Sequence, residues 1–212
     1  MATLAARPRE RLLATARRLF YTEGIHAVPV DRLVTEAGVT RATFYRHFPA
    51  KEDLVEAYLR TTDADLRAGV AKALDQANPQ QSAAALLDLI GKVTCSAGFR
   101  GCHFINASAE YPNPDDPVRA AVAEHRAWFQ DTVTRLAEQA GHPDPKYAGR
   151  VLVLLHDGAL SAAELDDPKQ VRKTVIRAGR ELLGLPASTD RRDVRPPRTH
   201  RATPRRRRVS GS

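Results

Sequence analysis

The stretch from Thr40 to Lys51 carries the densest run of groups able to bond a polyanion. Thr40, Arg41, Ala42, Thr43, Tyr45, Arg46 and His47 place hydroxyl, guanidinium, phenol and imidazole groups almost side by side. At about 100° per residue, Phe44 and Phe48 share one face of a helix. Ala42, Thr43 and Arg46 occupy the opposite face, with Tyr45 and His47 on its flanks. Such a short rod suits the major groove: the small residue permits close approach, and the others hydrogen-bond phosphates or base edges. A second concentration comprises Phe99, Cys102, His103, Phe104, Tyr111, His125, Trp128 and Phe129, joined by Asn106 and Glu110. These would line an apolar cavity holding a few polar groups, as small-molecule sites do. Cys95 and Cys102, with His103 adjacent, do not have zinc-ligand spacing, so no metal site is read and both are taken as small apolar residues. Neither a glycine-rich phosphate loop, a His-Glu-x-x-His motif nor a nucleophile elbow occurs, so no catalytic residue and no cofactor are expected. A small enzyme using Cys102 or His103 is the rival from another class.

The elements that must position these groups read as helices throughout, from about Pro8 to Leu185, with no run of alternating strand residues. Leu12, Leu13, Ala16, Leu19 and Phe20 mark a first helix that Gly24 stops. A second holds Val30, Leu33, Val34 and Ala37 and ends at Gly38. Thr40 caps a third, which Pro49 terminates, and the joint Ala37-Gly38-Val39-Thr40 is short enough to force a tight angle. A fourth opens at Ala50-Lys51-Glu52-Asp53, with acidic residues where the helix dipole favours them, and runs towards Asn78-Pro79. Five more follow at about 81–97, 103–110, 117–140, 146–164 and 168–184, separated by Gly- and Pro-rich punctuation.

Length and composition set the frame for these elements. The 212 residues are 42% hydrophobic and 27% charged, ordinary for a globular chain. The longest aliphatic run, Val151 to Leu155, is too short to span a bilayer, and the N-terminus lacks an apolar leader core. Two cysteines fit a reducing cytoplasm. The net charge of +8 is unevenly spread: residues 186–212 hold nine Arg against two Asp, residues 1–51 nine Lys or Arg against four acids, and residues 52–185 fifteen against nineteen. Two basic ends flank an acidic middle, so nucleic acid is the expected partner and a membrane is not. The Arg- and Pro-rich 186–212 segment lacks large apolar residues and is expected to be disordered.

The segment from Val30 to Leu54 resembles the signature of the tetracycline-repressor (TetR) family. The landmarks are Phe20, Gly24, Ala37-Gly38-Val39, Thr43-Phe44-Tyr45, His47-Phe48 and Lys51-Glu52-Asp53-Leu54. The resemblance covers residues 8–60 and implies an all-α chain of about nine helices. It divides into a helix-turn-helix DNA-binding domain at 6–66 (motif about 29–48), a helical ligand-binding and dimerisation domain at 67–185, and the 186–212 tail. It implies base-edge contacts for Arg41 and Ala42, phosphate contacts for Thr40, Thr43, Tyr45 and His47, and a phosphate anchor in Lys51, while Arg46 adds a backbone contact. Two departures stand out: Pro29 replaces the usual hydroxyl cap of the second helix, and Ala42 sits where glycine is frequent. The second aromatic cluster falls in the family's inducer region. Helices eight and nine would pair with their two-fold mates through Val151, Leu152, Leu155, Ala159, Val171, Val175, Ala178 and Leu182. Taken together, the resemblance implies a homodimeric bacterial repressor in the cytoplasm, at the nucleoid. It would leave a palindromic double-stranded operator when a small hydrophobic effector binds. A ligand-independent activator or architectural protein, drawing most of its affinity from the Arg tail, is the alternative.

Overall fold

In the computed structural model, which describes residues 7–186, nine helices and no strand occur among the described residues. They are α1 (Pro8–Glu23), α2 (Val30–Ala37), α3 (Arg41–His47), α4 (Lys51–Leu74), α5 (Pro79–Val93), α6 (His103–Glu110), α7 (Pro117–Gln139), α8 (Pro145–Ala162) and α9 (Pro168–Leu182). The expected disordered tail lies, from residue 187 on, outside the described residues.

Five helices start on proline: α1, α5, α7, α8 and α9. The ring fixes φ near its helical value and sacrifices only an N–H that has no intrahelical partner. In the last four, the preceding Asn78, Asp116, Asp144 or Asp167 caps the first turn through its side chain. This chemistry places the start of α5 at Pro79 rather than 81 and separates it from α4, which stops at Leu74 rather than running to Asn78. The far end of α5 is Val93, four residues short of the expected 97. As expected, α2 starts without a side-chain cap on Pro29, whose φ of −75° is already set, while Thr40 accepts from the Thr43 N–H at 3.1 Å to start α3.

Two apolar cores hold the helices together. The first joins α1, α2, α3 and the first half of α4 through Leu12, Leu19, Phe20, Leu33, Phe44, Phe48, Leu54 and Leu59. Phe104 and Ala107 of α6 and Val118 and Ala121 of α7 belong to it as well, so the N-terminal unit is roofed by later helices. Arg11 of α1 ties the turn in place by donating to the carbonyls of Ala37 (2.9 Å) and Gly38 (3.0 Å), and Gly38 takes φ +61°. The second core packs α5, α7, α8 and α9 through Leu86, Leu87, Phe129, Val133, Leu136, Leu152, Val153 and Val175.

Helices of the second core approach closely where glycine faces the neighbour. A Cβ on Gly149 of α8 would stand 2.2 Å from Thr134 Oγ1 and 3.0 Å from the Thr134 Cα on α7. Gly69 of α4, by contrast, faces open space. Gly149→Ala is expected to destabilise the fold by about 1–2 kcal/mol through overpacking. Gly69→Ala should stabilise it by about 0.5–1 kcal/mol, because only the gain in helix propensity remains. Thermal denaturation of the two variants beside wild type checks the opposite signs.

Candidate nucleic-acid interface and effector cavity

The third helix presents the polar face expected of it. Phe44 and Phe48 are buried in the first core, and their rings lie 6.2 Å apart. Arg41, Ala42 and Arg46 are exposed, Tyr45 stands 42% exposed, and Thr43 and His47 are half-buried at the margin. The Thr40 and Thr43 hydroxyls are 2.9 Å apart. Arg41 Nη1 donates to Asp31 Oδ1 at 2.7 Å, so the guanidinium is steered from the start of α2. Its pKa is raised above the ordinary arginine value by hydrogen bonding to Tyr45 and by the Asp31 charge.

Lys51, the expected phosphate anchor, is half-buried at the start of α4. Its Nζ donates to the Ile25 carbonyl at 2.6 Å and lies 5.8 Å from the centre of the Phe20 ring. Burial lowers its pKa below the ordinary lysine value. The turn after α1 leaves that carbonyl pointing at α4, and a partly desolvated ammonium takes the nearest acceptor.

A cavity of about 340 Å³ lies between α6, α7 and α8. Phe104, Ile105 and Ser108 of α6, with Cys102 at its N-cap, form one wall. Arg119, Val122, Ala123, His125, Arg126 and Phe129 of α7 and His156 and Asp157 of α8 form the others. Of the residues expected here, Cys102, Phe104, His125 and Phe129 line the space. Asn106 instead donates to the Arg100 carbonyl at 2.8 Å, Tyr111 sits in the first core edge-on to His26, and Phe99 lies half-buried in the α5–α6 connection. Trp128 is covered by the Arg67 guanidinium, 4.5 Å from its ring centre. Sequence reading missed His156 and Asp157 because α8 was taken as an apolar pairing helix. The signal was there: a polar pair interrupting an otherwise aliphatic segment.

The polar groups of the cavity are paired from behind. His125 Nδ1 lies 2.7 Å from Asp63 Oδ1 of α4, and Asp63 also accepts from Arg67 at 2.6 Å. Burial lowers the His125 pKa despite that carboxylate. His156 Nδ1 is 3.1 Å from Asp157 Oδ1, and Asp157 also accepts from Arg126. Burial works to raise the Asp157 pKa, but the bonds from His156 and Arg126 prevail and hold it below the usual aspartate value. The Cys102 thiol is pushed up by burial, which makes it a poor nucleophile.

The same α6 grips the N-terminal unit with its other face. Its Glu110 accepts from the backbone N–H of Ile25 at 2.7 Å and of His26 at 2.6 Å, just past the end of α1. His103 stacks on Tyr21 at 4.0 Å, and its Nδ1 shares a 2.5 Å hydrogen bond with the Tyr58 hydroxyl of α4. Tyr21 Oη donates to the Gly101 carbonyl at 3.1 Å and accepts from the Arg100 N–H at 2.8 Å. Residues 100–110 thus form a bridge between the cavity and the helix-turn-helix.

The residues expected to pair two copies divide in two. Leu152, Ala159 and Val175 are buried within the single chain, in the second core. Val151, Leu155, Val171, Ala178 and Leu182 are half-buried. On and just beyond α8, Tyr147, Leu154 (67% exposed) and Leu165 (84%) face outward. A helix apolar around its girth does not reveal which side its own chain covers. Among the described residues, no group of three or more metal-ligating side chains occurs, and no helix is long and apolar enough to cross a membrane.

An arginine-bearing helix set in a tight turn and roofed by a helical body defines a helix-turn-helix, DNA-binding transcriptional regulator. Comparison with known proteins agrees. The family model for bacterial regulatory proteins of the tetR family matches residues 12–58. The crystal structure of a TetR-family transcriptional regulator from Streptomyces coelicolor is 48% identical and superposes with a TM-score of 0.81, over 84% of this chain and 94% of that one. The HTH-type transcriptional regulator LmrA of Bacillus subtilis is 26% identical over 124 residues, 57% of this chain and 66% of LmrA. The HTH-type transcriptional activator FasR of Mycolicibacterium smegmatis is 36% identical over 66 residues, 31% of this chain and 30% of FasR. The chain therefore spans less than two-thirds of the length of these two curated relatives. The chain belongs to the TetR family.

The bridge carries a titratable group whose environment predicts acid sensitivity. Burial, aided by the positive charge of Arg17, drives the His103 pKa from 6.5 to about 4. Below pH 6.5 the unfolded chain takes up a proton that the folded chain refuses until about pH 4. The stability contributed by neutral His103 is therefore whole above pH 6.5 and is lost as pH falls through that window. Urea unfolding across it is expected to show a loss of roughly 3 kcal/mol from this group, with His125 adding in the same direction. His103→Gln should remove about one proton from the slope of stability against pH, and an unchanged slope would show that His103 is charged in the folded chain.

Proposed function

We propose that this chain is a homodimeric repressor that binds a palindromic operator through α3 and leaves it when a small molecule fills the cavity. The observation that carries the reading is the double service of α6. Phe104, Ile105 and Ser108 wall the cavity, while His103 and Glu110 of the same eight-residue helix hold the N-terminal unit. A ligand that displaces the cavity wall must move the grip on Ile25 and His26. A second link runs through α4, whose Asp63 holds the cavity's His125 and whose first turn begins next to α3. Effector and operator are then coupled because each favours a different position of α6 and α4.

In this reading Arg41 and Ala42 approach base edges, with Asp31 steering the guanidinium. Thr40, Thr43, Tyr45, Arg46 and His47 contact phosphates, and Lys51 joins them only by giving up Ile25. Two heads about 34–36 Å apart read successive major grooves, which a two-fold dimer supplies. The outward groups Tyr147, Leu154 and Leu165 supply apolar surface for that dimer. FasR bears the name of an activator, and a promoter-reporter assay with and without the regulator fixes the sign of control here.

Selection from random duplexes with the full chain is expected to return a two-fold-symmetric motif. Arg41→Ala should cost roughly tenfold to a hundredfold on the matched duplex and little once one particular base is changed. Arg46→Ala should weaken all duplexes alike and lower the salt slope by about one. Glu110→Gln, distant from α3, should lower operator affinity about fivefold or more with helical content unchanged. An asymmetric motif, or full affinity in Glu110→Gln, contradicts the proposal.

A further inference from the structure

The two arginines of α3 are held differently. Arg46 is exposed and enters no ion pair among the described residues, so its guanidinium can follow a phosphate. Arg41 is tied: its Nη1 donates to Asp31 Oδ1 at 2.7 Å, and Tyr45, one turn further along α3, also hydrogen-bonds the guanidinium. The third helix itself contains no acid. Glu36, the other acid of α2, is taken by Arg18 and Arg32. Asp31 is thus the carboxylate that α2 brings to the polar face of α3.

The pair is not needed to build the fold. The Arg41 and Asp31 side chains are 61% and 69% exposed, and ion pairs at such sites add little to stability. The α2–α3 joint has its own ties in Arg11, Leu33 and Phe44. Against a duplex a carboxylate is a liability, because it repels the phosphates that supply non-specific affinity. How great a liability depends on where Arg41 goes. If the guanidinium swings to a phosphate, Asp31 is stranded beside a polyanion as water leaves the interface. If it stays on Asp31 and offers its remaining N–H groups to a base edge, both charges keep a partner. The carboxylate therefore penalises the sequence-independent contact more than the base contact, which is how a repulsive group creates specificity.

We propose that Asp31 is a specificity-determining residue: by holding Arg41 it lowers affinity for unmatched DNA and directs the guanidinium to one base. It is a positioning residue that acts through Arg41, and the inference rests on the reading of α3 as the base-reading helix. The test is fluorescence anisotropy of the full chain over a range of salt. Its probes are the duplex selected from the random pool and a copy altered at the one base pair whose preference Arg41→Ala removes. Asp31→Asn is expected to bind the altered duplex about threefold to tenfold more tightly, with a salt slope steeper by about one, while the matched duplex changes little. Asp31→Glu, which keeps the carboxylate, should retain the wild-type preference. In an Arg41→Ala background, Asp31→Asn should move both duplexes alike and leave their ratio unchanged. An acid in the first turn of α2 also suits the helix dipole, but losing that support would move both duplexes alike even with Arg41 present. Three results overturn the proposal and leave the role of α3 standing. They are an equal effect of Asp31→Asn on both duplexes in the chain that keeps Arg41, the same fall in their ratio with and without Arg41, and a changed preference at a different base pair. If Arg41→Ala removes no base preference at all, the reading of α3 falls and the proposal falls with it.

Discussion

One residue sets the relation between the two halves of this protein. The Ile25 N–H is held by Glu110 of the body and the Ile25 carbonyl by Lys51 at the start of α4. The chain has just left α1 through Gly24 at φ +93°, so these backbone groups have no helical partner and need acceptors and donors from elsewhere. Glu110 answers with both carboxylate oxygens, one to Ile25 and one to His26. Hydrogen bonds to a charged acceptor are about twice as strong as neutral ones, so α6 cannot drift without exposing or stranding them.

From that constraint the rest of the bridge follows. With its last residue pinned to the end of α1, α6 has its first residue between Tyr21 and Tyr58 and turns Phe104 and Ile105 towards α7. The helix is too short to have an independent interior, and both of its faces are spent on neighbours. A change on one face is felt on the other because a packed helix moves as a body rather than deforming residue by residue.

The helix-turn-helix was legible in the chain because its determinants are local. Gly38 in the left-handed region, Thr40 as a cap and the two phenylalanines one turn apart act within a dozen residues, and each appears as expected. Helix starts at Pro79, Pro117, Pro145 and Pro168 obey the same local logic. The cavity was legible only in half. Cys102, Phe104, His125 and Phe129 betray themselves as aromatic or polarizable residues, whereas Ser108, Arg119, His156 and Asp157 enter through the packing of α8 on α6 and α7. The pairing residues fared in the same way: Leu152 and Leu154 are alike in type, yet one is core and the other faces out.

The sequence alone determined the helical class, the order of the helices and the polar face of α3. Those depend on propensity, capping and a period of 3.6, all of which operate between near neighbours. Tertiary structure alone decided that Lys51 turns inward, that Asp63 stands behind His125, and that Glu110 reaches Ile25 across 85 positions of chain. Such pairings join groups that are distant in sequence, and burial chooses among many chemically equivalent partners. A carboxylate or an ammonium carries no mark of which one it will meet until the helices are packed.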